Sequence, residues 1–132
     1  MSQFFCRFVV DKIQQLPINT FYMSLNRKSQ WMVDNVCQGL RRFNPADDIS
    51  KYDEGSDTQC IKWTRNGRLL RIYKFHANSS GVITSMTVYG VDIPGEYNTI
   101  SRSKVAFGLP VTAISTKQGP EGMYVDVTFG NY

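Results

Sequence analysis

The side chains best suited to chemistry crowd into one short stretch: Asp57, Lys62, Arg65, Arg68, Arg71, Tyr73, Lys74, Phe75 and His76. Cations beside aromatic rings suit single-stranded nucleic acid, because bases stack on the rings while phosphates meet the cations. His76, the only histidine, adds a group that titrates near neutrality. With Asp57 to fix its tautomer and Lys74 or Arg71 to stabilise a pentacoordinate phosphate, His76 completes the ingredients of metal-independent RNA cleavage.

These groups must be positioned by a hairpin. Asn66-Gly67 sits between two runs of alternating character, and a type I′ turn needs positive φ at both central residues. That turn predicts Arg65 opposite Arg68, Thr64 opposite Leu69, Trp63 opposite Leu70, Lys62 opposite Arg71 and Ile61 opposite Ile72. In this register Ile61, Trp63, Leu70 and Ile72 share the face that covers a helix. The outer face carries Cys60, Lys62, Thr64, Leu69, Arg71, Tyr73 and Phe75. Lys62 and Arg71, directly opposed, repel unless an anion lies between them. The expected binding residues are Lys62, Arg65, Arg68, Arg71, Tyr73 and Phe75, and the expected partner is RNA or single-stranded DNA. The same register sets His76 opposite Asp57, on the other face from Arg71 and Tyr73, so catalysis through His76 and Asp57 ranks below binding.

Other chemistries find little support. No Gly-rich loop opens a helix, no Gly-x-Ser-x-Gly is present, and the five acids of residues 46–57 lack the spacing of a calcium loop. Cys6, Cys37 and Cys60 form no Cys-x-x-Cys pair, and one histidine is a poor start for a zinc site. The cysteines read as small buried hydrophobes, and no cofactor or metal is expected.

The chain has 132 residues, 42% apolar, with a formal charge of +4. That is one domain, residues 1–132, with enough apolar matter for a core. No apolar run is long enough to span a bilayer, and Met-Ser-Gln-Phe-Phe does not begin a secretory signal pattern, so a cytoplasmic protein that does not use a membrane is expected. Residues 46–57 carry five acids and one base, and residues 58–80 carry five bases and no acid.

Met32, Val33, Val36, Cys37, Leu40 and Phe43 recur at steps of three and four, which predicts an amphipathic helix over about 29–43, stopped by Asn44-Pro45. Phe4–Val10 reads as a short strand, 44–58 as a solvated loop, and 92–104 as a connection. Further hairpins turn at 77–81 and 119–122. The fold expected is α+β: a two-layer sandwich with the N-terminal helix on an antiparallel meander of about five strands. Met32, Val36, Leu40, Trp63, Leu70 and Ile72 form its predicted core, with Val82, Met86 and Val88 joining if the loop allows and Ile114, Val125 and Val127 added by the last hairpin. In topology and side-chain types this layout is similar to small ribonuclease toxins of the barnase and RelE kind, a likeness that implies His76 and Asp57 as catalytic groups. A competing class is the protein-interaction module, such as an inhibitor, immunity protein or phage or viral accessory protein, acting through its aromatic face or its acidic loop.

Overall fold

A computed structural model describes residues 25–131, so the expected strand at Phe4–Val10 and the side chain of Cys6 lie outside the described residues. Helix α1, Arg27–Phe43, follows the apolar repeat. Asn26 caps it, its side chain accepting from the Ser29 N–H at 2.8 Å, and Arg41 and Arg42 sit at its negative end. Met32, Val33 and Cys37 are buried, with Val36 and Leu40 packed beside them. The buried Ser29 hydroxyl accepts from the Ile83 N–H at 3.1 Å and ties the first turn to the sheet.

Then follow β1 (Asp48–Asp53), β2 (Thr58–Arg65), β3 (Arg68–Ala77), β4 (Ile83–Gly90), α2 (Ile93–Ser103), β5 (Val105–Ala106), β6 (Leu109–Gly119) and β7 (Gly122–Phe129). They form one curled antiparallel sheet, a half-barrel in the order β1-β2-β3-β4-β7-β6-β5. The α+β class and the three hairpins match expectation, whereas a curled sheet of seven strands stands where a two-layer sandwich with a meander of about five strands was expected. The expected loop contains β1, which keeps only Ile49 inward and exposes its other residues. The expected connection is α2, capped by Asp92 with Pro94 in its first turn, and with Ile93 and Ile100 buried. Among the described residues no helix is long and apolar enough to cross a membrane.

The β2–β3 register departs from expectation at one residue. Asn66 and Gly67 have φ of 52° and 76°, and Arg65 pairs with Arg68 and Thr64 with Leu69, as a type I′ turn requires. Trp63 then pairs with Arg71, not Leu70, so Leu70 is the extra residue of a β-bulge. Every later side chain of β3 changes face. Tyr73 and Phe75 enter the core with Ile61, Met86, Val88, Val125 and Val127, where Phe107 meets Tyr73 edge-on at 5.0 Å and Phe75 at 6.0 Å. Leu70 and Ile72 leave the predicted core. Trp63, Ile114 and Val36 pack at its margin.

Gly90 makes room for the bulge. Its φ is +138°, and a Cβ there would lie 2.0 Å from the Leu70 carbonyl oxygen, which also accepts from the Val91 N–H at 3.0 Å. Gly90→Ala is expected to cost at least about 2 kcal/mol, combining the disfavoured φ with a backbone clash. Urea titration checks it, and a midpoint equal to wild type would show that the bulge relaxes at no cost.

Candidate functional site

The bulge redistributes the residues singled out by sequence. Tyr73 and Phe75 are buried and present no stacking surface. Burial, with the Glu96 carboxylate nearby, pushes the Tyr73 phenol up. Arg71 is folded back against α2, donating to the Leu70 and Val91 carbonyls and to Glu96 at 3.3 Å. Arg65 grips Asp47 with two bonds of 2.9 Å, and the Trp63 indole donates to the same carboxylate at 2.9 Å. The Arg65 and Trp63 donors hold the Asp47 carboxyl below its usual range. Of the six expected binding residues, Lys62 and Arg68 alone are exposed without a side-chain hydrogen bond or ion pair among the described residues. Lys62 stands opposite Ile72, so the expected repulsion with Arg71 is not present.

His76 faces outward with Lys62 and Lys74, opposite Thr58 and one step away from the expected Asp57. The outer face carries a row of polar side chains across five strands. Thr58 Oγ1 lies 3.1 Å from Asp57 Oδ1 and 3.1 Å from His76 Nδ1. His76 Nε2 lies 2.8 Å from Thr87 Oγ1, which donates to Asp126 Oδ1 at 3.2 Å. Lys117 Nζ completes the row 3.0 Å from Asp126 Oδ2 and is raised by that bond. A polar depression of about 390 Å3 lies over this row. Beside it Lys74 pairs with Glu54 at 3.0 Å and stands 5.1 Å from the Tyr89 ring, which tilts against Tyr124. Burial works against the Lys74 charge, and the Glu54 carboxylate outweighs it. Lys74 and Lys117 of this face are thus each matched by an acid, whereas Lys62 is not.

Burial lowers the His76 pKa against the pull of Asp57 and Asp126. The unfolded chain therefore takes up a proton first as pH falls. The contribution of a neutral His76 to stability is full above about pH 6.5, the unfolded value, and is lost as pH drops through the lower folded value. Urea midpoints at about pH 7.5 and about pH 5.5 should show a loss on acidification that His76→Gln removes. Equal losses in both proteins would place the effect elsewhere.

A second surface belongs to α1, on the flank beside its apolar stripe. Trp31 is 68% exposed and Phe43 81%. Between them runs an apolar groove of about 440 Å3, lined by Met32, Val36, Gly39, Leu40 and Phe107. Steps of three and four along the helix place Lys28, Trp31, Asn35, Gly39 and Arg42 in one row on this flank. Phe43 was expected on the buried stripe, but it lies in the last turn and remains outside the core. Among the described residues no three His, Cys, Asp or Glu side chains are grouped to share a metal ion. Comparison with protein families, with curated proteins and with solved structures finds no match to this chain.

Proposed function

We propose that this chain is a protein-interaction module that takes apolar side chains of an acidic partner segment into the groove on α1. The carrying observation is the exposed pair Trp31 and Phe43 bracketing an apolar groove that the described residues leave open, since a large ring in water beside such a groove is characteristic of a binding hot spot. Charge supports the partner's chemistry. Helix α1 has four basic residues, Arg27, Lys28, Arg41 and Arg42, and its one acid, Asp34, is bound by Lys51. From Trp31 to Phe43 the helix rises about 18 Å, room for about three turns of a partner helix. The nucleic-acid reading has less support, because Arg65, Arg71 and Lys74 of the basic stretch are each satisfied by an acid.

Gly39 offers a clean test. A Cβ there meets nothing within 4 Å and projects from the groove floor. Gly39→Ala should stabilise the helix by about 0.5–1 kcal/mol, while Gly39→Leu should block the groove. A displayed peptide library panned against the full chain should yield binders with apolar residues at helical spacing among Asp and Glu, and Gly39→Leu should lose them. Binders indifferent to Gly39→Leu would overturn the proposal. So would nucleic acid that elutes with the chain and is lost in Lys62→Ala plus Arg68→Ala.

A further inference from the structure

The hydrogen bonds around His76 do not balance for a neutral ring. Thr58 and Thr87 own one hydroxyl proton each, and each hydroxyl sits between a carboxylate and a ring nitrogen. With both hydroxyl protons on the carboxylates, both nitrogens must donate, and the ring is a cation. With the ring neutral, one nitrogen accepts, and one hydroxyl must turn from its carboxylate to serve it. The two ends are unequal. Asp126 is fixed by Lys117, and Nε2 makes the shorter contact, 2.8 Å to Thr87. Asp57 is exposed, and Thr58 is the one donor to its carboxylate among the described residues. The Thr58 end is the one free to switch.

We infer that His76 and Thr58 form a proton-operated clamp on the loop 54–57. A proton taken from solvent at Nδ1 turns the Thr58 hydroxyl from the ring onto Asp57, and release of that proton turns it back. The Nε2–H remains on Thr87 and the Thr87 hydroxyl on Asp126 in both states, so the only atoms that move are the added proton and the Thr58 hydroxyl hydrogen. The charged groups facing the ring are Asp57 and Glu54 from the loop, Lys74 from β3 and Asp126 from β7, with Lys117 of β6 behind Asp126. Strand β4 contributes the uncharged Thr87 and Ser85.

The clamp adds a side-chain bond to a loop whose backbone is already held, the Asp57 carbonyl accepting from the Ala77 N–H at 2.8 Å. Glu54 binds Lys74 through its carboxylate, and its N–H donates to the Thr58 carbonyl at 2.9 Å. In the neutral state the Asp57 carboxylate hangs in water. In the protonated state that carboxylate is also fixed, by the Thr58 hydroxyl. The flanking residues Asp53 and Gln59 are hydrogen-bonded at 3.0 Å, and Gln59 accepts from Gln30 of α1 at 2.7 Å, so the switch lies beside the first turns of that helix. This inference stands whether or not α1 docks a partner.

The test is an NMR titration of the full chain between about pH 8 and about pH 5, following the His76 ring nitrogens and the Asp57 carboxyl carbon. The Asp57 carbon should show an inflection at the His76 midpoint, and protection of the amides in 54–57, taken relative to their intrinsic exchange rates at each pH, should rise on the acid side. Thr58→Val should abolish the inflection, and Thr58→Ser should restore it. An Asp57 carbon blind to His76 in the wild type, or an inflection undiminished in Thr58→Val, would overturn the clamp. If Thr58→Val does not fold, Thr58→Ala takes its place with the same readout: the Asp57 inflection should be lost, and an undiminished inflection would overturn the inference.

Discussion

Trp31→Ala is expected to weaken binding of the library-derived acidic peptides by about 30-fold or more, the effect of losing a hot-spot tryptophan worth about 2 kcal/mol or above. The same substitution should leave the urea midpoint almost unchanged. Trp31 is 68% exposed and lies on the side of α1 opposite the Val33 and Cys37 stripe, so its removal opens no cavity in the core. Surface changes of that kind stay within about 0.5 kcal/mol of wild type. The separation of the two readouts is the point of the experiment. A substitution that reduces binding and stability together would speak for a structural tryptophan, and one that changes neither would remove the groove from the account. Phe43→Ala should behave in the same way with a smaller loss, because Phe43 closes one end of the groove and the indole covers more area.

The parts of the fold that could be read from the sequence are those encoded by neighbours in the chain. The apolar steps of α1, its stop at Asn44-Pro45 and the turn at Asn66-Gly67 are all local, and all stand where the pattern puts them. Helix α2 was also local but used an ambiguous signal. Pro94-Gly95 marks a turn in most contexts, and here Asp92 accepts from the Gly95 N–H at 3.3 Å while Pro94 sits in the first turn of the helix. The missing evidence was the run Ile93, Tyr97, Ile100, spaced for one helical face. Strand β1 offers almost no alternation, since it sits at the sheet edge and only Ile49 faces inward.

The candidate site was hidden by contacts that are not local at all. Nothing in Arg68-Leu69-Leu70-Arg71 marks Leu70 as a bulge. Its carbonyl is received by Val91, Gly90 clears the space, and Glu96 of α2 holds the Arg71 guanidinium that follows it. One extra residue moved Tyr73 and Phe75 inward and His76 outward, and the expected stacking platform became core. The signal that was present and unused is Trp31. On a helix whose Gln30, Asp34, Asn35 and Gln38 mark the wet side, a tryptophan on that side is the kind of exposed apolar residue that points to a partner.

Phe75 turns this difference into a measurement of stability. It is fully buried, on the face where Ile61, Met86 and Val127 pack and in contact with the tilted ring of Phe107. Phe75→Ala removes the ring and leaves a cavity that neighbouring strands, fixed by their ladders, cannot collapse to fill, so the expected loss is about 3–5 kcal/mol. Against a total of about 5–15 kcal/mol for a domain, that is about a third or more of the stability of a domain in the lower half of the range and is readily measured. Phe75→Leu keeps most of the volume and should recover more than half of the loss. Lys62→Ala and Arg68→Ala, on exposed side chains without partners among the described residues, should each stay within about 0.5 kcal/mol. A surface stacking residue would give the opposite order: Phe75→Ala would be silent in denaturation and costly only with nucleic acid present. Urea curves of these four variants, read at one pH above about 7 so that His76 stays neutral, decide between the buried and the surface assignment of Phe75.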